Sequence, residues 1–299
     1  MKKIFFVCLA LMLYIQASQA CDACGSGLNL QLGLIPNLQR NYLGIRYQQF
    51  HFYSHDEHVS LNETQAHSHE IFRTVEIYGN FSLSRRIQVF ASLPYKISSR
   101  ETAYKTYTIR GIGDAQILIR YKLLETKSKF TQTLFLSSGI KFVTGKYNEV
   151  QQGSLLHEYL QCGSGSYDFP FHINYIFKKD KFIFNSDLYY LMKSENKMKY
   201  KFGNSMGVNA QCYYQINKQQ TVFMPQIGLV YAMNEKDQRN NEIERISGSQ
   251  QLLGQIGIDF YYKKIGVICN WQPTLLQQHN NGLSKSSGRL QTSFVYTMK

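Results

Sequence analysis

Segments of about ten to fourteen residues, in which apolar and polar side chains alternate, recur about a dozen times after residue 41. The connectors between them alternate in length. The short ones are basic: Ser84 to Arg86, Glu125 to Lys129, Lys178 to Lys181, Asn217 to Gln220, and Lys263 with Lys264. The long ones, 54–69, 97–112, 145–166, 193–201, 234–249 and 276–288, are polar and irregular. Alternation of period two places successive side chains on opposite faces of a strand. Long strands joined by turns that alternate tight and long have the layout of a closed antiparallel barrel in a bacterial outer membrane. The expected fold is all-β, a 12-stranded transmembrane barrel over 42–299 with strands 42–53, 70–84, 86–97, 112–124, 129–144, 166–178, 181–193, 201–216, 220–234, 249–262, 264–276 and 287–299. An even strand number puts both termini on the periplasmic side. A soluble β-sandwich competes, but its strands usually run about 5–6 residues, shorter than these.

Residues 1–20 precede this rhythm. Lys2 and Lys3, an apolar stretch from Ile4 to Ile15, and Ala17-Ser18-Gln19-Ala20 read as a cleaved secretory signal. Cys21 would then be the first mature residue, with lipid attachment to it as a minority route. Residues 21–41 are glycine-containing and short, and are expected to form a plug or a periplasmic lid, with a disordered tail as the alternative. No later stretch approaches the 18 apolar residues of a spanning helix. Mean hydropathy is −0.31, as expected where polar lumen-facing residues alternate with apolar lipid-facing ones. Aromatic girdles would come mainly from 22 Tyr and 19 Phe, since there is one Trp; five Pro leave the strands uninterrupted.

The net charge of +13 lies mostly in turns and loops of an exported chain. It argues for solvated turns beside outer-membrane lipid and against nucleic acid as a partner. Of six cysteines, Cys8 leaves with the signal, so an odd number remains. Cys21 and Cys24 could form a small disulfide; Cys162, Cys212 and Cys269 read as packing residues.

Parity assigns faces. Ile71, Val75, Ile77 and Phe81 share one face of the second strand; Phe72, Thr74, Glu76, Tyr78 and Asn80 share the other. Continued along the chain, it places Arg46, Glu76, Asp114, Arg120, Lys122, Lys141, Asp168, Asp187 and Asp259 in the lumen. Charges inside a barrel are commonly paired, so the expectation is an ion-pair network filling a narrow interior, with charge selection of solutes as its functional counterpart. About 8 strands are filled by side chains and 16–18 leave an aqueous channel. Twelve therefore predicts a narrow or plugged pore.

Five of the eight histidines, His51, His55, His58, His67 and His69, fall around the first long connector, among Asp56, Glu57, Glu63 and Glu70. Neutral imidazole suits copper and zinc, so this loop is a metal-binding candidate, against the plainer reading of a polar surface loop. No other cofactor is indicated. Catalysis is not expected: no spacing singles out a serine–histidine pair, and Ser154 with His157 merely share a loop. The glycine-rich pieces are not phosphate loops, since no helix follows them.

Several local patterns resemble a known group. Gly111-Ile112-Gly113-Asp114, Phe142-Val143-Thr144-Gly145-Lys146-Tyr147 and Cys162-Gly163-Ser164-Gly165-Ser166-Tyr167-Asp168 look like the GLGD, LPTGKY and GTGSxD segments of a Bacteroidetes outer-membrane barrel family. That family is similar to the "meta-pathway of phenol degradation" transporter-like proteins. Leu93-Pro94-Tyr95 and Tyr200-Lys201-Phe202-Gly203-Asn204 also fit. Val143 and Cys162 depart from the pattern, and Lys299 departs from the terminal aromatic common in outer-membrane barrels. The resemblance spans nearly the whole mature chain and implies passive uptake of a small amphipathic or aromatic solute. It supplies no binding residues. The alternative function is a surface barrel that binds metal without transport.

Overall fold

A computed structural model describes residues 41–55, 67–102, 105–151, 154–279 and 284–298. The expected signal, the 21–40 segment with Cys21 and Cys24, and His58 lie outside these residues. Twelve strands run in chain order: β1 (Tyr42–His55), β2 (His67–Ser82), β3 (Ile87–Glu101), β4 in two pieces (Thr106–Ile112 and Gln116–Lys127), β5 (Thr131–Lys141), β6 (Asp168–Lys179), β7 (Phe182–Lys193), β8 (Ser205–Tyr214, continued by Ile216–Lys218), β9 (Thr221–Asn234), β10 (Ser249–Tyr262), β11 in two pieces (Ile265–Gln272 and Thr274–His279) and β12 (Ser284–Thr297). Each pairs antiparallel with its neighbours in sequence. β12 returns to β1, from Tyr42 opposite Thr297 to Ser54 opposite Ser284. Closure leaves no free edge, which a sheet in hydrocarbon requires.

One end is made of tight turns. Asp180, Gln219 and Lys263 have φ of 52°, 50° and 53°, the left-handed backbone that two-residue hairpins demand. The other end carries the long loops. There the strands outrun the expected boundaries: β3 continues to Glu101 and β4 starts at Thr106, so most of 97–112 is a paired hairpin rather than a loop. Likewise β2 begins at His67 and β12 at Ser284. The physical reason is that backbone pairing continues above the hydrocarbon while the demand for apolar alternation stops there. Conversely, β5 ends at Lys141 and β8 begins at Ser205, because the flanking residues fold into the loops.

The outward face is apolar along its length. Leu43, Ile77, Ile119, Leu188, Ile227 and Phe294 are all exposed, as the hydrocarbon band of a spanning barrel requires. Inside, near the turn end, twelve side chains pack into one buried cluster: Tyr42, Tyr78, Phe90, Leu118, Phe135, Ile176, Ile183, Tyr213, Met224, Tyr261, Ile268 and Val295. Each strand contributes one. The result is an apolar belt around the inner wall.

Candidate lumen site

Above the belt the lumen is polar, and its charges meet in small groups. Arg46 and Glu76 stand opposite each other in register, 3.5 Å apart and buried, with the Arg46 guanidinium 4.3 Å from the Tyr78 ring centroid. His172 Nδ1 lies 3.0 Å from Asp187. Among the described residues Asp259 forms no ion pair; it accepts from Gln226 Nε2 at 2.6 Å. Gln255 donates to Gln226 at 2.8 Å and Gln272 to Gln255 at 2.7 Å. The wall from β9 to β11 is therefore an amide chain where ion pairs were expected, because a buried carboxylate can be satisfied by N–H donors as well as by a cation. Lys122 lies just before a bulge near the turn-end mouth, held by Glu125 at 2.7 Å. Arg120 points inward over Phe135, 4.8 Å from the ring centroid.

Lys141, Asp114 and Asp168 form one cluster at the loop end. Lys141 Nζ lies 3.2 Å from Asp114 and 2.5 Å from Asp168, and bonds Ser164. Asp114 accepts from Gly145 N at 3.0 Å, Ser164 N at 2.8 Å and Ser164 Oγ at 2.9 Å. The three sequence patterns around residues 111–114, 142–147 and 162–168 thus converge on one knot that ties the 142–167 loop to the wall. Glycine is needed at its centre: a Cβ on Gly163 would stand 2.4 Å from the Gly145 carbonyl oxygen.

That loop and its neighbours fold over the opening. Leu156, Leu160 and Cys162 pack on Phe50, Phe52, Phe72 and Ile109. Tyr159 donates to Glu70 at 2.9 Å and accepts from Arg100 at 2.9 Å. Arg239 bonds Glu158 and Glu244, both at 2.8 Å. Asp237 accepts from Tyr200 Oη at 2.5 Å and Gly203 N at 2.7 Å. Beneath this roof a cavity of about 60 Å³ is lined by Glu76, Gln116, Lys141 and Tyr159, and one of about 10 Å³ lies between Arg46, Gln226 and Asp259. The first has room for a few waters and the second for at most one.

Among known proteins, no family model matches the chain and no curated protein does. Solved structures do. The COG4313 outer membrane channel from Pseudomonas putida F1 aligns with a TM-score of 0.61 at 14% identity, covering 87% of this chain and 96% of that one. The beta domain of the Bordetella autotransporter BrkA aligns at 0.50 and 7% identity, covering 87% and 100%. At such identities the likeness is one of fold. The chain has an outer-membrane β-barrel fold.

Sequence parity passed over Arg289. It is 2% exposed, its guanidinium 4.4 Å from the Phe50 ring centroid, and it shares the parity of Gln291 and Ser293. Glu70 and Tyr159, which brace the roof, were also missed, since no spacing links a strand carboxylate to a loop tyrosine 89 positions away. The histidines lie elsewhere. His51 and His69 face outward and stack at 5.7 Å, with Tyr53 at 4.7 Å from His69. The backbone register sets His55 opposite His67. Among the described residues no three His, Cys, Asp or Glu side chains gather as a metal site would need. Cys162 is buried in the roof, while Cys212 and Cys269 are exposed.

Proposed function

We propose that this barrel sits in the outer membrane with both termini and the tight turns on the periplasmic side, and passes a small amphipathic or aromatic solute by passive diffusion. The observation that carries this reading is the layering of the lumen: a charged and amide-lined middle closed at the turn end by an apolar belt with one residue from every strand. Ions and sugars meet a barrier at such a belt, because a hydrophobic constriction excludes water. A solute with both an apolar body and a polar group is compatible with both layers. The fold shared with an outer membrane channel adds support. The test is permeation into vesicles holding the refolded full chain, comparing benzyl alcohol and benzoate with glucose. Passage of the aromatics above protein-free vesicles, with glucose excluded, supports the reading; equal leakage of all three, or of none, overturns it.

The histidine pairs favour a second reading. Tyr53 lies opposite His69, and His55 opposite His67, so the hairpin brings imidazole-bearing positions close on adjacent strands. Copper or zinc titration of the protein carrying His55, His67 and His69 changed to Ala tests it. Unchanged metal affinity in that variant would remove this reading and leave transport untouched.

A further inference from the structure

We infer that Arg120 is a head-group site in the lumen, and that the solute it takes is a small amphipathic monocarboxylate; this rests on the passage proposed above. A guanidinium stays charged in any protein environment, and a buried charge without a partner is strongly destabilising. Arg46 meets that demand with Glu76, and Lys141 with Asp114 and Asp168. Arg120 is 2% exposed, and its one hydrogen bond is a long one, Nη1 to Asn80 Oδ1 at 3.5 Å. Among the described residues its Nε and Nη2 have no acceptor. These two nitrogens lie on the same edge of the guanidinium, the edge that grips both oxygens of a carboxylate in a fork.

The surroundings repeat the pattern. Ser137 is the register partner of Arg120 on β5, and its hydroxyl is also without a partner among the described residues. Asn80 accepts from Arg120, while its Nδ2 meets no acceptor among the described residues. Four open donors therefore stand on three neighbouring side chains: two on Arg120, one hydroxyl and one amide. A carboxylate supplies acceptors for them. Asp187 opposes this arrangement. Its charge acts on Arg120 through space, its Oδ2 is engaged by His172, and its Oδ1 has no hydrogen-bond partner among the described residues. It stands outside ion-pair distance of Arg120, so it leaves the fork open while weakening any anion there.

The apolar part of the ligand has a place beside this head group. Phe135 lies under the guanidinium, and Phe90 and Leu118 stand opposite each other in register on β3 and β4. All three belong to the belt. An acid on Arg120 with its body against these side chains would fill both demands. The aromatic version of such a molecule is benzoate, and benzyl alcohol and benzylamine differ from it only in the polar group.

The experiment is calorimetric titration of the folded, detergent-solubilised full chain with benzoate, benzyl alcohol and benzylamine, alongside their permeation into vesicles. Arg120→Gln, Arg120→Lys and Asp187→Asn are compared with the native protein, each first shown to migrate as a folded barrel. Benzoate is expected to bind at least tenfold more tightly than benzylamine. Arg120→Gln should lose that preference, Arg120→Lys should keep part of it because charge remains while the fork is gone, and Asp187→Asn should tighten benzoate by relieving repulsion. Benzoate affinity equal in the native protein and Arg120→Gln overturns the inference, as does benzoate weakened by Asp187→Asn. Permeation of benzyl alcohol with no benzoate preference overturns the carboxylate site alone. Permeation of none of the three overturns the passage reading with it.

Discussion

The barrel is shut twice, by different physics. At the loop end, closure comes from folded loops tied by charged and polar links: Lys141 to its two carboxylates, Tyr159 to Glu70 and Arg100, Arg239 to Glu158, and Tyr200 to Asp237. At the turn end, closure comes from twelve apolar side chains that are part of the wall itself. The roof depends on geometry and protonation, so salt, a change of pH or a lost partner can loosen it. The belt depends on volume and is indifferent to both. A solute that passes must displace loops at one end and press between side chains at the other. The two closures can therefore be broken separately.

The largest effect is expected at the belt. Changing Phe90 and Phe135 together to Ala removes two of its rings. Each such truncation in a packed interior costs about 3–5 kcal/mol, and water can then enter the constriction. Single-channel conductance of the double variant should rise by roughly tenfold, the change that ~1.4 kcal/mol off a barrier produces. An unchanged conductance would mean that the belt is not what limits ion flow, and would break the comparison. Next comes the knot. Lys141→Met leaves Asp114 and Asp168 buried without their cation, a loss of about 3–5 kcal/mol for a broken buried pair. Limited proteolysis of the refolded barrel should then cut within 142–167, where the native protein resists. Asp114→Asn with Asp168→Asn in the same background should restore much of the resistance, because neutral side chains no longer need the lysine.

How far these features can be read without coordinates differs between the two closures. The strand rhythm and the facing of Glu76, Arg120, Asp168 and Asp187 follow from period two alone. The belt does not. Reading an inward face by its polar members, Gln116 and Arg120 on β4 or His172 and Asn174 on β6, passes over Leu118 and Ile176 between and beside them. The same holds for Tyr261 on β10 and Val295 on β12. An apolar residue at an inward position carries no local mark that separates it from one facing lipid; the mark is that every strand has one at the same level, which needs the register. Asp259 fails for a related reason. Its partner is the amide of Gln226, and glutamines do not advertise their partners as opposite charges do. The knot was visible as three glycine-rich patterns, but their convergence on Asp114 spans 31 and 50 positions of chain and is a property of the closed barrel.

Smaller effects sharpen the account of the roof. Tyr159→Phe keeps the ring that packs beside Leu160 but removes the hydroxyl between Glu70 and Arg100. The Arg100–Glu70 pair at 3.4 Å remains, so the loss should stay near 1–3 kcal/mol, the range for hydrogen bonds to charged groups. It should appear as faster proteolysis of the roof with conductance unchanged. A rise in conductance equal to that of the belt variant would show that the roof limits flow after all.

The smallest expected effect is the pH response of Asp237. Burial in the roof pushes its carboxyl above the ordinary carboxylate range, against the hydrogen bonds from Tyr200 and Gly203 and the charge of Lys193, which lower it, while the charge of Glu158 adds to the rise. The folded roof therefore binds this proton more tightly than the unfolded chain does. Its contribution is fully present below the unfolded value and is lost as pH rises through the raised folded value. Proteolysis of the 194–204 and 235–248 loops should accordingly quicken as pH rises across that window. Asp237→Asn should flatten this dependence, since an amide keeps an acceptor for Gly203 and a polar partner for Tyr200 without a charge to desolvate. The belt contains no carboxylate or histidine, so its closure should not change over the same window. A conductance step that tracked the proteolysis would instead tie the two closures together.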